Sequence, residues 1–552
     1  MSNSLFTQVI NTYELTIVLA NLLSRQDLVR LGRTSRRCFA ITTGFVWQEV
    51  WGVHNLFVLV PGTTCTKKGG GDGWNLSLPS PNTADLTRFK HYVPYVTSLH
   101  ILPKPRTGYQ FSDWKTLSEY AEKGTLLPNL ESIAYESDNI KDDVFIRWIT
   151  PFLSDKVIGV YTHSVEWRYE AMMSMRRAAT LLKAVSERCT DITDLSFFPI
   201  DPYPWNSSLI NEDKDENKLG TREPLSFYDY LGRMHRLRNL TTTSFIISSE
   251  EIEVLASLPN LEKVNLYCNF FNEYLDYQLS PKYPEHPFRS LRALELLLPD
   301  MRCISQVWSL APLVRKLTEV TIHLQASDGY DNDDHFSDDE FAYTRNIIAF
   351  IPELCKRSPN IRKLIIDFDA TRGSFRQVVS LETLRSLVTL PLETLDLRHA
   401  ALDNVPQACR VLGQSSTLRN LHLQDQKVTY EHLALFSQIP RLELFHAEIV
   451  WSDVQGLQKL QGAVRPRTSD IMFLHCSIGL QNQQVLTDSN VLRNLMQFLC
   501  LRFLKLEELA WVGTSMYGVG PGVTDMVCAQ FTQMYKDTIN GLRKKYGLAR
   551  SM

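Results

Sequence analysis

The sequence lacks the features that mark most small catalytic and metal-binding domains. No C-x-x-C pair occurs among its ten cysteines, which excludes a zinc ribbon, a haem attachment site and a thioredoxin-type redox motif. No H-E-x-x-H, G-x-S-x-G, Walker loop or kinase set is present, and no carboxylate and histidine stand at catalytic spacing. Neither a catalytic residue nor a cofactor is therefore expected. An excess of one charge is also missing: 58 Lys+Arg stand against 61 Asp+Glu, a net charge of −3, which argues against a nucleic-acid platform. No apolar run reaches the ~18–20 residues of a membrane span. The first 24 residues hold no Lys or Arg, and their apolar stretch is broken by Asn11 and Glu14, so no secretory signal is read. The cysteines are then expected to be reduced, mostly buried thiols in a cytoplasmic or nuclear protein.

What is present is a folded composition, 44% hydrophobic over 552 residues. Length alone, at roughly 150 residues per domain, suggests three or four domains. A repeated phrase points elsewhere: apolar, two residues, apolar, one residue, apolar. Clear copies are Leu261-Glu-Lys-Val264-Asn-Leu266 and Leu291-Arg-Ala-Leu294-Glu-Leu296. Others begin at Val96, Leu130, Ile192, Leu237, Leu317, Ile361, Leu392 and Leu418, with weaker ones at Val157, Leu442, Ile471 and Leu506. The fourteen copies lie about 24 to 45 residues apart, the spacing of a repeat architecture.

The phrase has a physical meaning. Its last three positions alternate apolar, polar, apolar, the period of a half-buried strand. Prolines precede many copies, as in Leu127-Pro-Asn-Leu130, Leu258-Pro-Asn-Leu261 and Ser358-Pro-Asn-Ile361. A proline ends the preceding helix and makes the residue before it extended. Amphipathic stretches lie between copies; in one, Ile252, Leu255 and Leu258 share a side, with Ser248 placed to cap it. Strand, turn and helix at this period predict an α/β fold: a leucine-rich-repeat solenoid, a horseshoe with its parallel sheet on the concave face. Separate α/β domains sharing the strand phrase are the alternative. The Asn or Cys that usually follows such a strand is nearly absent, with Asn269 the best candidate.

Residues 10–52 carry no such phrase. Leu15, Val18, Leu19, Leu22 and Leu23 fall on one helical face, and Ser24-Arg-Gln-Asp27 has the spacing of a helix start. A second stretch holds Leu28, Leu31, Cys38 and Phe39, and a third Phe45, Val46, Trp47, Val50 and Trp51. This predicts a compact three-helix module. Glu14-Leu15, Leu22-Leu23, Asp27-Leu28, Ser35-Arg36-Arg37 and Trp47 resemble the F-box motif, over about 40 of the 552 residues. The opening Leu-Pro of that motif is replaced by Asn11-Thr12, and the tryptophan after the arginine pair by Cys38. The resemblance implies a substrate-recognition subunit of an SCF-type ubiquitin ligase. In that family the F-box binds a Skp-type adaptor, and through it the cullin–RING ligase, while the repeats bind a target protein. Glu14, Leu15, Leu19, Leu22, Leu28 and Trp47 are the adaptor-binding residues it implies. Trp47 and Trp51 would alternatively anchor the module against the first repeat. The rival function is a leucine-rich-repeat interaction scaffold not coupled to ubiquitination.

The expected organisation is therefore an F-box-like module over 8–55, a glycine-rich linker over 56–90, the repeat array over 91–525 and a C-terminal helix or cap over 526–552. Within it, 206–224 and the acidic run 327–340 read as exposed insertions.

The residue between the last two apolar positions of each phrase points out of the sheet, together with those two places either side. This predicts a target-binding face that includes Lys263, Asn265, Tyr267, Glu295, Thr321, His323, Lys363, Asp367, Asp396, Arg398, His422 and Gln424. Its chemistry is mixed, which suits a protein partner and implies neither nucleic acid nor membrane. Four successive copies place Asp396, His422, His446 and His475 at the central outward position. Parallel strands about 4.8 Å apart would align these as a ladder, a pH-sensitive or metal-capable patch.

Overall fold

A computed structural model of the chain describes residues 12–67, 73–104, 107–135, 144–162, 173–200, 227–248, 252–267, 283–297, 301–324, 338–368, 377–450, 471–477, 498–499, 503, 508–512, 533 and 537. Asn11, Asn269, the 206–224 insertion, the acidic run up to Ser337 and all but two residues of the expected C-terminal cap lie outside them. The chain divides into two compact units, Met1–Asn269 with Tyr274–Leu291, and Phe270–Glu273 with Arg292–Met552.

The first unit opens with three helices, α1 (Tyr13–Leu22), α2 (Arg25–Gly32) and α3 (Arg36–Gln48). Ser24 and Ser35 start the second and third: their hydroxyls accept from the Asp27 and Cys38 amides at 3.2 and 3.1 Å. Helices α2 and α3 meet closely at Gly32, where an added Cβ would lie 2.7 Å from Thr42 Oγ1. The sequence places Val50 and Trp51 in the third helix. Instead Glu49 turns extended, and Glu49–Trp51 forms the first ladder strand, β1, paired with Ser98–His100, β2. Val50 is fully buried there and Trp51 stacks on His100 at 3.6 Å between ring centroids. Strand pairing and burial override the local helical preference.

The ladder of this unit continues through β3 (Ser132–Ala134), β4 (Gly159–Tyr161), β5 (Asp194–Ser196), β6 (Asn239–Thr243) and β7 (Lys263–Tyr267), every pair parallel. The second unit holds β8 (Ala293–Leu297), β9 (Glu319–Leu324), β10 (Lys363–Phe368), β11 (Thr394–Arg398), β12 (Asn420–Val428), β13 (Leu444–Ile449), β14 (Phe473–Ser477) and β15 (Glu508–Val512), again all parallel. Each of the fourteen copies of the phrase is a ladder strand. Parallel order between successive strands requires a crossover, and helices supply many of them, as Leu381–Leu387, Val405–Leu412 and Tyr430–Phe436 do in the second unit. Strand–crossover units stacked on their neighbours through a parallel ladder within each unit constitute a leucine-rich-repeat fold.

Burial explains the phrase. Leu317, Val320 and Ile322, like Ile361, Leu364 and Ile366, are all essentially inaccessible. The proline lead-in has a second use: the following asparagine ties each repeat to the one before. Asn129, Asn260 and Asn360 donate to the carbonyls of Pro94, His235 and Arg315 at 2.8, 2.8 and 3.1 Å. Helix starts are capped in series by Ser380, Asn404 and Thr429. Cys38, Cys189, Cys303, Cys355 and Cys409 are buried thiols outside any disulfide; burial pushes Cys189, Cys355 and Cys409 up to about 12.

Part of the segment read as a glycine-rich linker is ordered. Thr64–Lys67 and Gly73–Ser77 pair as an antiparallel hairpin, and Gly108–Gln110 adds a third strand. Aromatic packing holds it: Trp74 stacks on His54 at 4.5 Å, and His54 Nδ1 lies 2.7 Å from the Tyr109 hydroxyl. Tyr109 in turn packs on the buried Trp148. Among the described residues no helix is long and apolar enough to cross a membrane.

Candidate functional site: an acid–histidine chain on the outward face

Alternation along the strands of the second unit sends one set of side chains into the core and the other outward. On β9 the buried set is Val320, Ile322 and Leu324, and the outward set Glu319, Thr321 and His323. On β10 it is Leu364, Ile366 and Phe368 against Lys363, Ile365 and Asp367. The register then aligns the central outward positions in one row: Glu295, Thr321, Ile365, Asp396, His422, His446 and His475. A second row, two residues further along, runs Leu297, His323, Asp367 and Arg398.

Charged groups link these rows into a chain across five strands. His323 lies between two carboxylates, with Nε2 3.3 Å from Glu295 Oε1 and Nδ1 3.6 Å from Asp367 Oδ2. Its hydrogen bonds to Asp367 and Glu295 outweigh its partial burial and raise its pKa to about 9. At neutral pH it is an imidazolium. Burial raises the Asp367 pKa, but the His323 hydrogen bond and the His399 and Arg398 charges outweigh it and hold the carboxyl below the usual range. Arg398 Nη1 stands 3.5 Å from Asp367 Oδ2, and Arg398 Nε 3.0 Å from Asp396 Oδ2. His399 Nε2 stands 3.7 Å from Asp367 Oδ1, and its Nδ1 2.7 Å from Asp425 Oδ2.

Two backbone irregularities build this chain. In a regular strand consecutive side chains point to opposite faces, so Arg398 and His399 would not reach the same carboxylate. His399 has φ of +57°, in the left-handed region. The reversal ends β11 and brings the imidazole round to Asp367. In β12 the pairing with β13 slips between Leu423 and Lys427. The three polar residues inside that bulge are placed individually: Gln424 faces outward, Asp425 meets His399, and the Gln426 carbonyl oxygen accepts from the Leu402 amide at 2.7 Å.

Of the outward residues expected from sequence, Glu295, His323, Asp367, Asp396 and Arg398 belong to this chain. His399 and Asp425 were not expected, because alternation assigns His399 to the core side and the phrase ends before Asp425. The bulge has one sequence signal, the polar run Gln424-Asp-Gln-Lys427 directly after Leu423. The aspartate–histidine column has the expected register. His422 and His446 meet edge to face at 5.8 Å, and His446 and Asp396 are largely covered; the His475 side chain lies outside the described residues. No group of three or more His, Cys, Asp or Glu among the described residues could hold a metal ion. In the first unit Lys263 and Asn265 point outward, Asn265 donating to Thr241 Oγ1 at 3.0 Å, whereas Tyr267 is buried against Phe198.

The residues implied for the adaptor divide into two groups. Glu14, Leu15 and Leu22 are exposed and Leu19 is half-buried. Leu28 is buried, and Trp47 stacks on Tyr92 at 4.7 Å. On α1 the inward positions are instead Thr16 and Ala20, so Leu15, Val18 and Leu22 stand 48%, 56% and 79% exposed.

No protein-family model matches the sequence, and no curated protein matches it. Similar solved structures include an internalin, InlF, from Listeria monocytogenes, 12% identical over 71% of this chain and 76% of that one, with a TM-score of 0.27. A TLR13–ssRNA13 complex is 15% identical over 70% of this chain and 43% of that one, with a TM-score of 0.34. The leucine-rich repeat-containing protein LegL7 from Legionella pneumophila is 11% identical over 78% of this chain and 95% of that one, with a TM-score of 0.30. The chain has a leucine-rich-repeat fold, and that assignment stands on its own strand ladder.

Proposed function

We propose that this chain is the substrate-recognition subunit of an SCF-type ubiquitin ligase: its helical module docks a Skp-type adaptor, and its repeats hold a target protein. One observation carries the reading. The first helix buries Thr16 and Ala20 and leaves Leu15, Val18 and Leu22 bare. A helix that turns its large apolar side chains to solvent presents a docking face. The three-helix module that carries this face has the residues resembling an F-box, and a repeat array with a mixed, charged outward face follows it. Such a subunit does no chemistry; it raises the local concentration of target beside the ubiquitin carrier.

An uncoupled interaction scaffold is the second reading. It is favoured by Leu28 and Trp47, which this chain uses for its own packing. Affinity capture separates the two. The full chain is expected to retain a Skp-type adaptor, and a Leu15→Asp/Leu22→Asp variant to lose it while keeping its repeat-bound partners. Deleting residues 1–55 is a poor substitute, because it removes strand β1 and His54 from the packed unit.

A further inference from the structure

A different row of polar residues crosses the entry ends of the strands in the second unit. The register aligns Ala293, Glu319, Lys363, Thr394, Asn420 and Leu444. The residues just before them are Arg292, Thr318, Arg362, Glu393, Arg419 and Glu443. Twice in this row an arginine reaches the glutamate that follows it, Arg362 to Glu393 at 3.4 Å and Arg419 to Glu443 at 3.1 Å. After Arg292 the row holds Thr318, which carries no charge. At that place a cavity of about 330 Å³ is lined by Arg292, Lys316, Thr318, Asn360, Arg362 and Pro391. Its lining has three cations and no carboxylate, on a chain whose net charge is −3.

The cavity is open to solvent, and its cations are not all spent. Arg292, Lys316, Asn360 and Arg362 are exposed. Lys316 makes no ion pair among the described residues. Arg362 is 64% exposed and meets Glu393 through Nη1 alone, and a guanidinium has five N–H donors. Arg292 has contacts of its own, so it adds positive potential and is not counted as a vacant donor. Two tethers fix the frame: Thr318 Oγ1 donates to the Arg292 carbonyl at 3.3 Å, and Asn360 Nδ2 to the Arg315 carbonyl at 3.1 Å. The lead-ins of three successive repeats are thus held in place before any ligand arrives.

We propose that this cavity is a carboxylate-recognition site, which takes an aspartate or glutamate side chain from an acidic segment of the bound protein, with Lys316 and Arg362 as its donors. The incoming carboxylate stands among the lining cations where the row itself places no acid, and it relieves their mutual repulsion. Recognition of this kind sets partner choice and register more than total affinity. The inference rests on the reading of the repeats as a target-binding array and does not depend on the adaptor.

The test uses the full chain and fluorescent eight-residue peptides that alternate glycine with glutamate or with glutamine, followed by anisotropy. The glutamate peptide is expected to bind about fivefold more tightly, the upper size of one ion pair at an exposed position, and the advantage to shrink as salt is raised. Lys316→Glu puts a carboxylate into the cavity and is expected to abolish the advantage. Arg362→Gln removes the second donor and is expected to reduce it. Both positions are exposed, so the melting temperature is expected to stay at the wild-type value. Lys156→Glu, at an exposed turn of the first unit, makes the same change in net charge and is expected to keep the advantage. Equal binding of the two peptides, no binding by either, or an advantage unchanged in both Lys316→Glu and Arg362→Gln overturns the proposal. Inorganic phosphate that binds while the two peptides bind alike assigns the cavity to a free anion and overturns it as well. Adaptor capture by the same preparations is read separately, so failure of either reading leaves the other standing.

Discussion

Arg398 and His399 are consecutive, and both grip the carboxylate of Asp367, at 3.5 Å through Oδ2 and 3.7 Å through Oδ1. The left-handed φ of His399 makes this possible. A non-glycine residue there costs about 1–3 kcal/mol unless its surroundings hold it, and here the two carboxylates on its ring do so.

The backbone at 399 therefore constrains substitution by shape. His399→Asn, which tolerates that region, is expected to lose the contacts to Asp367 and Asp425 at a small cost. His399→Val, β-branched, is expected to lose those contacts and the conformation, and to be less stable than the Asn variant by roughly 1–3 kcal/mol. Thermal or denaturant unfolding of the two variants side by side checks the order.

The pKa of His323 links the chain to pH. The folded value, about 9, lies above the ordinary 6.5. Its contribution to stability is thus fully present below about pH 6.5 and is lost as pH rises through about 9. Melting temperature is expected to fall across that window, and His323→Gln to flatten the fall. A His323 variant with the same pH profile as wild type would remove His323 as the cause.

The close approach of α2 and α3 gives a steric prediction. Gly32→Ala places a methyl 2.7 Å from Thr42 Oγ1, closer than contact allows, and is expected to cost about 1–3 kcal/mol. Thr42→Ala in the same chain should recover most of it. Limited proteolysis of the helical module reads both.

The lead-in asparagines give a fourth prediction. Asn260→Ala removes the bond to the His235 carbonyl and is expected to cost about 0.5–1.5 kcal/mol, felt first as faster amide exchange in Asn239–Thr243 and Lys263–Tyr267. Uniform exchange across the unit would contradict a local role.

The ladder was readable because each strand must bury three apolar residues at fixed spacing, whatever fills the rest of the repeat. Strand β1 was not, since Val50 and Trp51 continue a helical pattern and only the distant Ser98–His100 strand makes them extended. The pairing of Thr64–Lys67 with Gly73–Ser77 was hidden by the glycine-rich sequence between them; Trp74 and Tyr109, far apart in sequence, hold it. In the site, five charged residues followed from alternation. His399 and Asp425 reach it only because the backbone breaks alternation, once by a left-handed residue and once by a bulge. Such breaks leave little trace in a residue pattern. The face of α1 was legible as apolar, but which apolar residues stay bare depends on Thr16 and Ala20 facing inward.

The bare face of α1 is proposed to dock an adaptor that couples the repeats to a ubiquitin ligase. The most direct measurement is titration of the purified full chain with a purified Skp-type adaptor by calorimetry, beside Leu15→Asp/Leu22→Asp at matched melting temperature. A one-to-one complex is expected for the wild type, and loss of binding for the variant. No binding by the wild type, or equal binding by both, would contradict it.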